Sequence, residues 1–357
     1  MYDVVIVGAG VAGCRTAELI ARKGFSVALL EKHADIGKPV QCSGLVSYRL
    51  KTILPDLADN VILNEVRRAK FFYSSRPTST PNFELKSKKP VYVIDRAELD
   101  KSLFEKAISS GAKAKLPTKF TSYIIKEDKI IISTNKGKIE SRLLVGADGP
   151  NSIVAKKAKL EKPENYLTGV QATVDGEFDT DADSVELWFG PDITPDFFGW
   201  LIPVSPTKAR IGLATRSKAL GYFKNFLKKR IGIAVRPDVG GRINFGLMEN
   251  TATERVMVVG DAAAHVKPLS GGGVIYGLIG AAYCANACVW ALRAGDFSAG
   301  FLKQEYDKKW KRQLRKPIER GLRYRKILLS AGKRMNLLFN IAGKLKFVLE
   351  SFDMDLL

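Results

Sequence analysis

The 357-residue sequence predicts an α/β fold: a parallel-sheet domain, interrupted by an inserted antiparallel β-sheet lobe and followed by a helical C-terminal tail. Three observations predict it. The apolar run 3–7 leads straight into Gly8-Ala9-Gly10-Val11-Ala12-Gly13 and then a helix, the opening of a Rossmann-type unit. Residues 165–250 carry several short strand signals separated by turns. After Asn250 the text returns to strand-then-glycine, with 256–259 running into Gly260-Asp261. The division that follows is 1–160 with 250–295 for the discontinuous nucleotide domain, 161–249 for the β lobe, and 296–357 for the basic helical region. A chain of this length is long for one core, which agrees with two lobes.

The elements follow in order. Strand 3–7 and a helix over 12–23, ended by Gly24, lead to a second strand over 25–30 with Glu31 at its end. Residues 35–50 read as a loop with Gly37, Pro39 and Gly44, and 61–94 as strands and turns. A helix over 96–110 is signalled by Leu99, Leu103 and Ala107 on one face. Strands and turns fill 119–139, with Lys136-Gly137 as a hairpin turn, and a buried strand over 143–145 enters Gly146-Ala147-Asp148-Gly149. Strands are expected at 185–189, 199–203 and 209–214, and a helix at 219–229. The tail from 301 to 350 is helical.

Composition narrows the class. Hydrophobic residues make up 46% of the chain without low-complexity tracts or repeats, as in a globular protein. The run 4–7 is too short, and too quickly followed by glycines, for a secretory signal. Residues 273–292 are apolar and long enough to span a bilayer, but Asn286, several glycines and the preceding glycine-rich turn favour a buried helix. Cys14, Cys42, Cys284 and Cys288 form neither a CxxC pair nor a zinc spacing with His33 and His265, which suits a reducing, cytoplasmic compartment. The net charge is +20, and residues 301–357 hold 15 Lys and Arg against 6 Asp and Glu. Such a tail is either a solvated helical face or a surface for anionic lipid or an acidic protein. Nucleic-acid binding lacks any supporting motif.

The glycine turn carries the first chemistry. Gly8 permits the tight turn, Gly10 lets backbone approach a pyrophosphate, and Gly13 lets the helix sit close to the sheet. The helix N-terminus then offers unpaired N–H groups to phosphate. Glu31, 18 positions after Gly13, would accept hydrogen bonds from ribose hydroxyls and repel a 2′-phosphate, so the site suits FAD or NAD and not NADP. Two later stretches decide for FAD. Asp261, at the end of a strand, can bond ribityl hydroxyls or serve as a helix N-cap. The run Gly271-Gly272-Gly273-Val274 opens a long helix whose N-terminus can approach the pyrophosphate and the flavin pyrimidine edge.

Four stretches, GAGVAG (8–13), DRAELD (95–100), GADGPNS (146–152) and GDAAAHVKPLSGGG (260–273), together resemble the para-hydroxybenzoate-hydroxylase-fold flavoproteins, over most of residues 1–295. That likeness implies a glutathione-reductase-like FAD-binding domain, Arg96 near the flavin phosphates, and Asp148-Gly149 shaping the cleft. Within this group the chain is most similar to geranylgeranyl reductases, digeranylgeranylglycerophospholipid reductases in particular. Gly37 to Ser47, which includes Cys42, is similar to that family's cysteine loop beside the flavin. Phe198 to Pro203 is similar to its aromatic-x-Trp-x-aromatic-Pro segment over the substrate cavity, with Phe198 in place of a tyrosine and Ile202 where an aromatic is common. Halogenases share a Trp-x-x-Pro-like segment.

The resemblance implies FAD contacts at Ala12, Glu31, Cys42, Ser43, Leu45, Arg96, Phe120, Asp261, Gly273 and Val274, and a substrate wall at Phe198, Trp200 and Pro203. The implied reaction saturates isolated C=C bonds of geranylgeranyl chains in archaeal-type ether-lipid precursors, with NAD(P)H or ferredoxin as electron donor. Alternatives within the fold are a monooxygenase or halogenase, or a reductase of geranylgeranyl diphosphate, chlorophyll or a quinone side chain. The proton donor stays open between Cys42, a tyrosine and water. Cys42 is either a flavin-side residue or a small core hydrophobe, and Trp200 either a cavity wall or a core aromatic. His265 is either a contact for the flavin edge or a phosphate, or a polar helix residue, while Cys284 and Cys288 belong to the core. Lys344, Leu345, Lys346, Phe347 and Leu349 mix basic and apolar character as interfacial helices do, implying a peripheral membrane attachment.

Overall fold

The computed structural model describes residues 1–73, 81–161, 163 and 165–331. Lys344 to Leu349, expected to form a membrane-facing helix, lie outside the described residues. Two units are distinguished by their contacts: Met1–Lys38 with Ala97–Asn165 and Asn244–Glu319, and Pro39–Arg96 with Tyr166–Ile243 and Arg320–Leu357.

The first unit is built on a parallel sheet in the order Val256–Val258, Gly137–Gly146, Tyr2–Val7, Val27–Leu30, Lys113–Lys115. Of these, Val27–Leu30, Val256–Val258 and most of Tyr2–Val7 are apolar and buried, as central strands covered on both faces must be, whereas the edge strand Lys113–Lys115 is largely exposed. The strand Gly137–Gly146 changes partner at Ser141. Before it, the strand pairs antiparallel with Ile130–Thr134; from it onward, it pairs parallel with Tyr2–Val7. The helix Val11–Ala21 packs on the long helix Val274–Ala294. The second of these is the apolar stretch of membrane-spanning length. Its Ile275, Leu278, Ala281, Cys284 and Cys288 are buried inside the unit, and only a strip including Asn286 and Trp290 is exposed. It is a core helix.

The second unit holds an eight-stranded sheet in the order Val239–Phe245, Asn165–Asp175, Lys208–Thr215, Thr194–Ser205, Ser184–Gly190, Ile62–Tyr73, Phe83–Ile94, Leu45–Ser47. From Asn165–Asp175 to Leu45–Ser47 the neighbouring strands pair antiparallel, except that Ser184–Gly190 runs parallel to Ile62–Tyr73. That pairing is why the chain divides differently from the sequence expectation: residues 39–96 hydrogen-bond into this sheet, though their position in the chain grouped them with the nucleotide domain. The helix Ala219–Ile231 covers one face, with Phe223, Phe226 and Leu227 against Leu201, Ile211 and Leu213. It is tied there by Arg230, whose Nε and Nη2 each donate to the buried Glu186 at 2.7 Å, while Trp188 Nε1 donates to the same carboxylate at 2.8 Å. The opposite face, which carries Trp200 and Arg210, is set by the alternation of the same strands.

Candidate functional site

In the first unit, four loops leave the carboxyl ends of neighbouring parallel strands. Val7 stands opposite Leu30 and Gly146, and Gly146 opposite Val258, so Gly8, Glu31, Ala147 and Gly260 emerge along one edge. This is the edge at which parallel α/β sheets bind ligands. Gly8 has φ +104°, and a Cβ there would lie 2.3 Å from the Ala147 carbonyl oxygen; one on Gly13 would lie 1.9 Å from the Gly8 carbonyl oxygen. Both obstacles are backbone, so neither can yield. Gly10 is different, because an added Cβ meets nothing within 4 Å. It opens onto free space at the N-terminus of the helix Val11–Ala21, which has no side-chain cap, so its first N–H groups are left for a ligand.

Glu31 Oε2 accepts the Ala9 N–H at 3.0 Å and Oε1 accepts the His33 N–H at 3.0 Å. His33 Nδ1 lies 2.9 Å from the same Oε1. These bonds fix the carboxylate over the glycine turn and leave it lone pairs for a sugar diol. Ala12 sits against Gly260, where a Cβ would come within 2.8 Å of the Ala12 Cβ. The turn Gly260–Ala263 has no capping bond from its own N-cap side chain, and Asp261 Oδ1 lies 2.8 Å from where a Gly273 Cβ would stand. Gly273 is the N-cap of the helix Val274–Ala294, again without a side-chain cap. Two helix N-termini that open on glycine, the open space at Gly10 and the carboxylates Glu31 and Asp261 thus form a cradle that fits an extended dinucleotide.

The neighbouring residues have structural roles. Asp148 Oδ1 accepts the Ser152 hydroxyl at 2.6 Å and Oδ2 accepts the Ile153 and Val154 N–H groups at 2.7 and 3.1 Å. Burial raises its carboxyl above the ordinary value, while those hydrogen bonds pull it back. Its backbone N meanwhile walls the Gly8 turn. The Phe120 side chain is spent in the core with Val5, Leu30 and Ile132, which leaves only its backbone for a ligand. His265 is not a polar helix residue: it is fully buried, edge-on to Trp310, with Nδ1 accepting the Gly260 N–H at 3.3 Å. Burial lowers its imidazole to about 3, so it stays neutral. Cys14, Cys284 and Cys288 are fully buried, and burial pushes the Cys14 and Cys284 thiols well up.

Cys42, Ser43, Leu45, Arg96, Phe198, Trp200 and Pro203 all belong to the second unit. Cys42 is half-buried, and its Sγ accepts the Gly44 N–H at 3.3 Å. Leu45 opens the strand Leu45–Ser47 opposite Val93, and Arg96 is the half-buried first residue of the helix Arg96–Ser109. Trp200 is 8% exposed, with Nε1 donating to Gln171 Oε1 at 2.9 Å and its ring filling the space above Gly212. Phe198 stands edge-on to it, with centroids 6.4 Å apart, and Pro203 is buried opposite Ala209 in the next strand. Sequence reasoning missed Gln171 and Arg210. Their signal was present: each is a polar residue inside an otherwise apolar strand, Val170-Gln171-Ala172 and Ala209-Arg210-Ile211.

The FAD binding domain family matches residues 1–210. A digeranylgeranylglycerophospholipid reductase of Methanothermobacter thermautotrophicus is 32% identical over 350 residues, covering 93% of this chain and 89% of its own. The chain belongs to the FAD-binding digeranylgeranylglycerophospholipid reductase family. FAD is its cofactor, and it is an FAD-dependent oxidoreductase. A geranylgeranyl bacteriochlorophyll reductase-like protein from Thermoplasma acidophilum shares the reductase fold across 99% of this chain and 92% of its own, with a TM-score of 0.86 at 23% identity. A p-nitrophenol 4-monooxygenase from Pseudomonas putida shares it less closely, with a TM-score of 0.74 at 16% identity over 98% and 95% of the two chains.

Proposed function

We propose that this protein saturates the isolated C=C bonds of geranylgeranyl chains in archaeal-type membrane ether lipids, digeranylgeranylglycerophospholipid being the substrate class. The observation that carries this is the 32% identity to a reductase of that name along nearly the whole chain. Bound FAD, reduced by NAD(P)H or a ferredoxin, would supply the hydride for one alkene carbon. An unactivated alkene has no carbonyl to hold negative charge, so a proton must reach the other carbon before or with the hydride. Cys42 is the one thiol of the chain that is not fully buried, which makes it the first candidate for that proton. Gly8, Gly10, Ala12, Gly13, Glu31, Asp261, Gly273 and Val274 hold the dinucleotide, and the family resemblance alone assigns further FAD contacts to Ser43, Leu45 and Arg96. Phe198, Trp200 and Pro203 supply apolar surface for the prenyl chain and help exclude water.

A lipid substrate calls for access to a membrane. The helix Lys308–Ala331 carries ten Lys and Arg against one Glu, and Arg312, Lys316, Arg323 and Lys326 are exposed. Ile327 and Leu329 are 50% and 42% exposed beside them, the mix that favours an anionic lipid surface. The protein is accordingly read as cytoplasmic and peripherally membrane-associated. The test is anaerobic: the dithionite-reduced flavoprotein is mixed with unsaturated archaeal-type ether lipid in anionic vesicles. Product mass should rise in two-hydrogen steps. Unchanged lipid there, together with oxygen consumption on an aromatic substrate in a separate aerobic assay, would move the protein to the monooxygenase or halogenase reading.

A further inference from the structure

Arg210 lies in the strand Lys208–Thr215, opposite Ile202 on one side and Thr173 on the other. A guanidinium in such a strand is costly to bury unless its donors are satisfied. Its Nη1 donates to the carbonyl oxygens of Ser43 and Ile94, both at 2.9 Å. Gly44 completes the arrangement. It has φ +78°, and a Cβ on it would stand 2.0 Å from Arg210 Nη1 and 2.6 Å from the Ile94 oxygen. The Ile94 N–H in turn donates to the Gly44 oxygen at 2.7 Å, and the Gly44 N–H donates to Cys42 Sγ at 3.3 Å. The cysteine loop is therefore closed on the end of the strand Phe83–Ile94 by one guanidinium, 116 positions along the chain from Ile94.

We infer that Arg210 is the positioning residue of the Cys42 loop, holding Ser43 and Ile94 together. The charged and titratable groups facing Arg210 are Cys42, Asp95 and Asp238. Asp238 already accepts the Thr173 N–H at 3.0 Å. Burial lowers the guanidinium from its ordinary value, and all three of these neighbours act in the opposite direction, so it stays charged at neutral pH. If Cys42 gives its proton to the alkene, the S–H bond breaks, a C–H bond forms, and the electron pair left on sulfur is the charge that Arg210 faces. Only this last consequence rests on the proposed reaction; the positioning itself rests on the contacts.

The test is the rate at which iodoacetamide alkylates the native FAD-loaded protein. Cys14, Cys284 and Cys288 are fully buried, so labelling reports Cys42, and Cys42→Ser should abolish it. Arg210→Met, which removes the donor to the Ser43 and Ile94 oxygens, should free the loop and speed labelling by about three- to tenfold. Arg210→Lys, which keeps a donor, should restore most of the wild-type rate. If lipid reduction is measurable, Arg210→Met should lower kcat with little change in KM. Wild-type labelling rates in both variants would overturn the inference even if lipid is reduced. A faster rate with no lipid reduction would uphold it and sink the proposed reaction instead. Should Arg210→Met not fold, Arg210→Gln decides by the same rate, and a wild-type value there would overturn the inference if Arg210→Lys also labels as wild type and lipid turnover is unchanged.

Discussion

The two units build their sites from different materials. In the first, the cradle is backbone: a turn at Gly8–Gly13, two helix N-termini that open on glycine, and glycines wherever main chains approach within contact distance. In the second, the site is side chain: Trp200 bonded to Gln171, and Arg210 bonded across the sheet to the Cys42 loop. A backbone site demands particular residues at fixed local spacing, whereas a side-chain site is assembled by strand pairing between distant segments. The first can be read along the sequence, and the second only once the sheet order is known.

The sharpest test of that contrast lies within the glycine turn. Gly13→Ala puts a methyl 1.9 Å from a backbone oxygen, so the helix Val11–Ala21 must move off the turn. The expected loss is about 3 kcal/mol of stability or more, together with FAD retention. Gly10→Ala meets no protein atom within 4 Å, so the apoprotein should unfold within about 0.5 kcal/mol of wild type while FAD occupancy falls. Urea unfolding of the apoproteins and flavin absorbance after desalting separate the two effects. A Gly10→Ala protein that keeps a full complement of FAD would break the reading of that open space as the dinucleotide's.

The contrast also explains what was legible. The strand–turn–helix opening, Glu31 and the return at Gly260-Asp261 were readable because each is a local pattern. The helix at 96–110 was readable to within one residue of Arg96–Ser109, because Leu99, Leu103 and Ala107 mark one face. The assignment of residues 39–96 was not readable, since it depends on Ile62–Tyr73 pairing with a strand more than a hundred residues later. The partners of Arg210 were hidden for the same reason: it stands out as a polar residue in an apolar strand, but nothing near it in sequence points to Ser43 and Ile94.

Acid titration sharpens the comparison next. The two histidines of the chain, His33 and His265, both lie in the first unit. The folded state lowers His265 from 6.5 to about 3 because the ring is fully buried. Its contribution to stability is therefore complete above about pH 6.5 and is lost as pH falls toward 3, at roughly 1.4 kcal/mol per pH unit. Summed over that window the loss is about 4 kcal/mol, spread over the acid limb. Urea unfolding at several pH values should show a shallower acid limb in His265→Phe than in wild type. The slope is the readout because the larger ring, beside Gly280, shifts absolute stability as well. Equal slopes would mean that His265 is not held neutral.

The smallest effect probes the side-chain site. Trp200 Nε1 and Gln171 Oε1, 29 positions apart, form a buried pair that reaches over Gly212 of the intervening strand Lys208–Thr215. Trp200→Phe keeps an aromatic ring over Gly212 but strands the Gln171 oxygen, and Gln171→Leu strands the indole N–H. Each single change should cost about 1–3 kcal/mol, because a buried polar group left unmatched loses its partner and stays dehydrated. The double variant removes both polar groups, so it should cost less than the two single losses combined by about 0.5–3 kcal/mol. Urea midpoints of the four proteins give that coupling directly. Strictly additive losses would mean that packing around Trp200 holds this face without the hydrogen bond, and the second unit's site would then depend on shape more than on polar pairing.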